Sequence, residues 1–258
     1  MEKRSRRRLV EEKRIEEVTH LAEQVMQKKG IHALTLQELI DDCSISRGTF
    51  YKQFPSKETL ITYLGIKALN FWAGLLDKAE HYDGLSRERL MVLHASHVLC
   101  HHLNFNSYQC IFIANSEANR IAVSPELNTI LDDRMHKLID YIQMCVELAV
   151  QEKNLELPDT LNAQEMAFFI WSGRYGAALA SSNYGFFPSV SGDLTQKYKE
   201  YTHYLLDKMG WAPLTTQINY ERVLNQIFKT FYKSECMLAR KIYKKPHPFS
   251  ITEEVLVH

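Results

Sequence analysis

Apolar residues recur at helical spacing along almost the whole chain. Between residues 15 and 26 they stand three or four positions apart, and Gly30 follows where a helix C-terminal cap is expected. A longer apolar pattern begins after Ser56 and runs on through Ala79. The sequence has no internal repeat, no low-complexity linker and no run of alternating strand residues. The pattern predicts an all-α protein.

Capping residues mark the predicted helix starts. Thr35 followed by Glu38 is a capping-box pattern, in which each side chain satisfies a backbone N–H of the other residue. Further starts are predicted at Ser46, at Ser56, at Ser86, at Ser124 before Pro125, and at Asn162 with Glu165 three residues on. The last two helices are predicted from Leu194 to Met209 and from Gln217 to Tyr243.

Two short helices near the N-terminus have the spacing of a helix-turn-helix motif. They are predicted from Leu36 to Cys43 and from Arg47 to Phe54, and about three residues join them. In this motif the second helix enters the major groove of DNA. Phe50 and Phe54 are four residues apart and should face inward, while Ile45 in the turn fills the angle between the helices.

The remaining side chains of the second helix suit DNA. These residues, with the following lysine, are Arg47, Gly48, Thr49, Tyr51, Lys52, Gln53 and Lys57. The arginine and the glutamine can reach guanine and adenine edges, and the glycine permits close approach of the backbone. The hydroxyls of Thr49 and Tyr51 and the charge of Lys57 suit phosphate oxygens. The segment is therefore predicted to read DNA.

This segment resembles the TetR-type transcriptional regulators. The resemblance rests on Thr35, on ISRGTFY at 45–51, on Phe54 and on SKETL at 56–60. It covers about the first quarter of the chain closely, and the rest only through the number and length of helices. It implies that the corresponding threonine, tyrosine and lysine hold the phosphate backbone, while Arg47, Gly48 and Gln53 read bases. Thr35 is included among the expected DNA contacts. Ser44 departs from the family, which commonly has glycine in the turn, so a strained turn is expected here.

The resemblance also implies a domain organisation and a mechanism. Residues 1–60 would form a three-helix DNA-binding domain, residues 61–243 a helical effector-binding and dimerisation domain, and residues 244–258 a tail. The expected assembly is a homodimer on a palindromic operator of double-stranded DNA, released by a small-molecule effector. Repression is the expected mode, and the sequence leaves activation open.

By analogy with the four-helix interface of the family that the chain resembles, a stripe of small residues at helical spacing is expected to lie in a dimer interface. The residues are Gly173, Ala177, Ala180 and Ser181, and such a stripe lets another helix approach closely. The alternative is that the stripe packs within its own chain.

The middle helices supply candidates for the effector pocket. They are His97, His101, Tyr108, Phe112, Trp171, Arg174 and Tyr175, although most aromatic residues of this region should be core. Burying Arg174 would demand an anionic partner, whereas the side chain could also reach solvent. His94, His97 and His101 share a helical face, but no carboxylate on that face completes a metal set, so no metal site is predicted.

The chain carries 31 Lys and Arg and 31 Asp and Glu residues, but the charge is unevenly distributed. Residues 1–67 contain 13 basic and 10 acidic side chains, a net charge of +3, so the remainder has a net charge of −3. The basic excess is strongest in an N-terminal arm that includes Arg6, Arg7 and Arg8. The arm is expected either to contact a minor groove or phosphates, or to be a disordered solubilising tail.

Other features exclude several classes of protein. The five cysteines form no Cys-x-x-Cys pair, which argues against a zinc ribbon and a disulfide framework. Glu11 and Glu12 follow the basic arm at the place where a signal peptide would be apolar. No span of about 18 apolar residues is recognised that could cross a membrane. A cytoplasmic protein is therefore expected. No catalytic or cofactor motif is present. The alternative to a regulator is an all-helical interaction scaffold or enzyme without sequence-specific DNA binding.

Overall fold

The chain folds into twelve α-helices and one 3₁₀-helix in a computed structural model that describes residues 2–181 and 194–242, with side chains within 9–176 and 199–242. The helices are α1 (Glu2–Lys29), α2 (Leu36–Asp42), α3 (Arg47–Gln53), α4 (Lys57–Lys78), α5 (Ser86–Leu103), α6 (Phe105–Ala114), α7 (Glu117–Ala122), α8 (Pro125–Gln151), α9 (Ala163–Ser181), α10 (Leu194–Lys208), α11 (Tyr220–Phe231) and α12 (Lys233–Ile242), and the 3₁₀-helix is Ile31–Ala33. The described ranges contain no strand. The all-α prediction is confirmed. The predicted tail, residues 244–258, lies outside the described residues.

The capping residues act as predicted at Ser56, where the hydroxyl accepts from the Thr59 N–H at 3.2 Å, at Ser124, where it accepts from the Leu127 N–H at 3.3 Å, and at Asn162, but only in part at Thr35 and Ser46. Asn162 and Glu165 form the full reciprocal box, because each backbone N–H donates to the other side chain, at 2.8 and 3.0 Å. At α2, Thr35 Oγ1 accepts from the Glu38 N–H at 3.3 Å, but the Glu38 carboxylate binds the Lys29 ammonium at 2.7 Å. The reciprocal box predicted at this helix was therefore wrong, since a nearby cation competes for the glutamate.

Ser46 is the N-cap residue of α3, as the capping pattern indicated. Its side chain nevertheless makes no capping hydrogen bond. The Ser46 hydroxyl instead donates to Thr49 Oγ1 at 2.9 Å. The position of the helix start was correct, and the predicted cap was not.

The last predicted helix is interrupted. Instead of one helix from Gln217 to Tyr243, α11 and α12 are separated at Tyr232, which is fully buried. The Tyr232 hydroxyl donates to the Leu75 carbonyl at 2.8 Å. This long-range contact anchors the chain at the break, and periodicity within the segment does not reveal it.

Contacts divide the chain into two compact units. The N-terminal unit comprises Met1–Asn70 and Asn104–Arg134, and the C-terminal unit comprises Phe71–Leu103 and Met135–His258. The core of the N-terminal unit includes Val18, Met26, Leu39, Phe50, Phe54, Leu64 and Cys110. The division into domains at residues 60 and 243 stays a prediction.

Helix α6 belongs to the N-terminal unit through specific contacts. The Glu23 carboxylate accepts from the Ser107 hydroxyl at 2.7 Å and pairs with the Lys67 ammonium at 2.6 Å, which links α1, α4 and α6. Gly65 faces α6 so closely that an added Cβ would lie 3.1 Å from the Cys110 carbonyl oxygen. A side chain at this position would push α4 and α6 apart.

The C-terminal unit contains a buried arginine that sequence reasoning missed. Arg87 has no exposed surface. Its guanidinium donates to the carbonyls of Trp211, Pro213 and His203, the latter two at 3.1 and 3.3 Å, and pairs with Asp207 at 2.7 Å. Three carbonyls and one carboxylate offset the cost of burying this charge, while the buried Nε has no hydrogen-bond partner.

Helix α4 has the length and composition of a membrane span, which the sequence reasoning did not recognise. However, 72% of its most apolar 18-residue window is buried inside the protein. Burial of this kind is that of a core helix in a globular fold.

Candidate nucleic-acid interface

The inner face of α3 is fixed by aromatic packing. Phe50 and Phe54 have no exposed surface, as predicted, and their rings lie 5.3 Å apart. Phe54 also packs edge-on against Tyr63 of α4, with ring centroids 5.4 Å apart. The half-buried Ile45 packs against the same core from the turn. This packing holds α3 in one orientation, so its opposite face is presented to solvent.

The turn between α2 and α3 is stabilised by an acid on α1. The Ser44 N–H and hydroxyl donate to the two oxygens of the Glu17 carboxylate, at 2.6 and 2.9 Å. Among the described residues, Lys153 alone has positive φ without being glycine, so Ser44 does not adopt the left-handed conformation. The expected backbone strain is therefore absent at Ser44. Sequence reasoning missed Glu17, which lies 27 residues away.

The outer face of α3 carries the predicted DNA contacts. Arg47, Gly48, Tyr51 and Lys52 are exposed, Thr49 and Gln53 are half-buried, and Thr35 before α2 is exposed. The Arg47 guanidinium donates to Gln37 Oε1 at 2.8 Å and lies 5.9 Å from the centre of the Tyr51 ring. Gln37, which sequence reasoning missed, thus orients the arginine from α2.

Two other predicted contacts already have partners within the chain. The half-buried Lys57 ammonium donates to the His32 carbonyl at 3.3 Å. The Gln53 amide donates to the Tyr63 hydroxyl at 3.1 Å. Gln53 therefore must leave Tyr63, or share its amide, to reach a base. The backbone of Arg6, Arg7 and Arg8 lies in α1, but their side chains are outside those the structure describes.

The predicted effector residues divide between the two units. Tyr108 and Phe112 belong to the N-terminal unit and pack edge-on, with ring centroids 5.2 Å apart. His97, His101, Trp171, Arg174 and Tyr175 belong to the C-terminal unit. There the Trp72 ring stacks on His97 at 4.7 Å and on Trp171 at 6.1 Å. These rings form a packed stack.

Arg174 is buried and does not reach solvent. It is 5% exposed and donates to the Leu93 carbonyl at 3.2 Å. Burial, and then the charge of Arg174, hold the pKa of His94 and of His97 well below its usual range. A cavity lined by Arg174, His94 and Lys199 has a volume of about 10 Å³, which is room for about one water molecule. Among the described side chains, no group of three or more His, Cys, Asp or Glu residues could hold a metal ion.

The predicted dimer residues are described only in part. Gly173 lies against a neighbour in its own chain, because an added Cβ would meet the Tyr201 ring at 3.3 Å. Ala177, Ala180 and Ser181 lie in α9, but their side chains are outside the described residues. On α9 and α10, Phe168, Phe169, Tyr201 and Tyr204 are 61%, 45%, 51% and 64% exposed.

Comparison with known families identifies the same region. Residues 18–64 match the family model described as bacterial regulatory proteins, tetR family. The matched segment begins within α1, ends within α4, and includes α2, the turn and α3. The match therefore falls on the region in which the reading face was predicted.

Individual proteins resemble this chain over different lengths. The Bacillus subtilis (strain 168) protein named "Uncharacterized HTH-type transcriptional regulator YerO" is 38% identical over 63 residues, which are 24% of this chain and 17% of the relative. A Rhodococcus sp. RHA1 protein of unknown function has a similar solved structure, with a TM-score of 0.57 and 15% identity over 76% of this chain and 95% of that one. PfmR, a TetR family transcriptional regulator from Thermus thermophilus, has a TM-score of 0.52 and 16% identity over 74% and 97%. At these identities the structural likeness concerns the fold.

Proposed function

We propose that this chain, which belongs to the tetR family of bacterial regulatory proteins, is a transcriptional regulator that reads a specific DNA sequence with helix α3. The observation that carries the proposal is the contrast between the two faces of α3. Phe50 is fully buried, whereas Arg47, Gly48 and Lys52 are exposed. A short helix held rigidly on one side, with a basic and polar surface on the other, suits the major groove.

The proposed contacts have different roles. Arg47 and Gln53 read base edges, and Gly48 lets the helix backbone approach the groove. The backbone contacts are Thr35, Thr49, Tyr51, Lys52 and Lys57, with Arg6, Arg7 and Arg8 of the N-terminal arm. Phosphate contacts set the position of a reader on DNA, while base contacts give it sequence preference.

The proposed assembly is a homodimer on a palindromic operator. The exposed aromatic rings of α9 and α10 support it, because these two helices contact each other and large apolar side chains exposed on neighbouring helices are typical of an interaction site. The small-residue stripe from Gly173 to Ser181 would extend this face. Analytical ultracentrifugation of Phe168→Ser with Tyr204→Ser tests the assignment: we expect monomers, and an unchanged dimer would move the interface elsewhere.

The proposed effector is a small molecule that binds in the C-terminal unit near His97, His101, Trp171, Arg174 and Tyr175. Because the cavity beside Arg174 holds about one water molecule, side chains must move to admit it. The part of Tyr108 and Phe112 in effector binding stays a prediction. We propose that effector binding changes the spacing of the two α3 helices and releases DNA, as in a repressor.

The experiment that tests the function is selection of bound duplexes from a random DNA pool, with purified protein at near-physiological salt. Enrichment of a palindrome is the expected result. Binding without enrichment, which disappears as salt rises, would show a general basic surface. The chain would then be better described as a helical scaffold or an enzyme.

A further inference from the structure

A groove of about 700 Å³ opens in the N-terminal unit beside α3. Its walls come from the first half of α1, from α3 and the start of α4, and from the segment that joins α7 to α8. Sites for small organic molecules have volumes of about 300 to 1,000 Å³, so this groove is large enough for one. It is distinct from the predicted effector residues of the C-terminal unit.

Two exposed cations face this groove. Arg14 lines it from α1 and Lys52 from α3. Neither makes an ion pair or a side-chain hydrogen bond with any described residue. Among the lining residues Glu11 alone carries a carboxylate, so the groove has an excess of positive charge. An anion therefore suits it better than a neutral molecule or a cation.

Part of the groove lining is apolar. Val10, Ala122 and Leu127 line it, and Val10 is 41% exposed. Removing an exposed aliphatic side chain such as Val10 from water is favourable when an apolar group of the ligand covers it. A phosphate alone has no such group.

A half-buried phenol adds a polar group to the groove. The Tyr63 hydroxyl accepts from the Gln53 amide at 3.1 Å, and both residues line the groove. Burial raises the pKa of Tyr63, so its hydroxyl keeps its proton and can donate to a bound anion. The groove thus offers charge, a hydroxyl donor and an apolar wall within one concave surface.

We propose that this groove binds an amphipathic organic anion, with its charged group at Arg14 and Lys52 and its apolar body against Val10, Ala122 and Leu127. Thr49, Lys52 and Gln53 line the groove and are also proposed DNA contacts. The occupant and DNA therefore compete. This competition rests on the proposed function, whereas binding of the anion does not.

The binding test uses two fluorescent probes and the full chain without DNA. The anion is 8-anilinonaphthalene-1-sulfonate, and its matched neutral probe is N-phenyl-1-naphthylamine, which lacks the sulfonate. Arg14→Gln removes a groove cation, and Lys13→Gln removes the neighbouring exposed cation that does not line the groove. Ala122→Trp fills the groove, and Ile121→Trp places the same side chain on the neighbouring exposed position.

The four variants give a clear expected pattern. Ala122→Trp removes one sulfonate-probe site per chain, and Ile121→Trp keeps it. Arg14→Gln weakens sulfonate binding about fivefold, as for an exposed ion pair of roughly 1 kcal/mol, while Lys13→Gln changes it less than twofold. The neutral probe binds equally to both glutamine variants. Sulfonate binding that neither Ala122→Trp nor Arg14→Gln alters would overturn the proposal. If Ala122→Trp fails to fold, the two glutamine variants decide it.

A second measurement separates this proposal from the proposed function. With a selected duplex in hand, the duplex should displace the sulfonate probe from the wild-type groove. If Ala122→Trp weakens duplex binding but leaves the sulfonate site intact, the groove holds the DNA backbone and the anion proposal is wrong. Failure to enrich any duplex would contradict the proposed function while leaving the probe result valid.

Discussion

In the N-terminal unit the cations Arg14 and Lys52 are exposed and unpaired with any described residue, whereas in the C-terminal unit Arg87 and Arg174 are buried and bound by carbonyl oxygens. Leaving an exposed cation without a partner costs little free energy, because water solvates the charge. A buried cation must be satisfied within the fold, or it unfolds the region around it. The first kind is available to a ligand or to DNA, and the second supports the structure.

The largest expected effect on stability comes from removing a buried cation of the C-terminal unit. Arg87→Ala removes the cation that pairs with Asp207 and the donor to the Trp211 and His203 carbonyls, so the free energy of unfolding should fall by about 3–5 kcal/mol. Urea denaturation at one fixed protein concentration measures the loss. The control is Arg89→Ala, which changes a partly exposed arginine and should cost less than about 1 kcal/mol. Equal losses in the two variants would show that burial of Arg87 does not set its importance.

The predicted DNA contacts of the N-terminal unit are tested by changes in DNA binding. Arg47→Ala should lose about 1–3 kcal/mol of discrimination at one operator position, because a base contact is removed. Tyr51→Ala and Lys57→Ala should weaken binding to all duplexes with little change in preference. Fluorescence anisotropy with the selected duplex and single-base variants measures both quantities. The same loss of preference in all three variants would contradict the assigned roles.

The buried cations also make the C-terminal unit sensitive to acid. Burial, and then the charges of Arg87 and Lys199, lower the pKa of His203 to about 4. The unfolded chain therefore takes up this proton first as the pH falls. The contribution of neutral His203 is complete above about pH 6.5 and is lost between pH 6.5 and 4.

His203→Gln should remove about 1–2 kcal/mol of the stability difference between pH 7 and pH 4.5, after allowance for its partial exposure. Urea denaturation at both pH values measures it. His136→Gln, at an exposed position of the same unit, should leave the difference unchanged. An identical pH dependence in wild type and His203→Gln would show that this imidazole is not the group that titrates.

The smallest effects compare the two capping sites. Asn162→Ala disrupts a reciprocal pair and should destabilise by about 1–1.5 kcal/mol, whereas Thr35→Ala removes one long hydrogen bond and should cost about 0.5 kcal/mol. Thermal and urea unfolding of both variants measure the two losses of stability. A larger loss from Thr35→Ala would mean that Lys29 does not weaken the cap by binding Glu38.

Local signals in the sequence identified most helices and the reading face, because capping residues and apolar spacing act over three or four positions. Pro125 begins α8, and Phe50 is buried as its spacing indicated. The contacts that local signals could not reveal join distant residues: Tyr232 with Leu75, Ser107 with Glu23, and Arg87 with Asp207. Residue type alone also cannot separate a buried arginine from an exposed one, so the groove and the buried charges required the structure.

The bond from Glu17 to the turn has a consequence for protein engineering. A designer who transplanted residues 35–54 into another scaffold would carry both helices and the turn, but would leave behind the carboxylate that holds Ser44. The transplanted turn would then need an acid from the host at the same place to accept from the Ser44 N–H and hydroxyl. The smallest portable reader therefore includes α1, and is not the helix pair by itself.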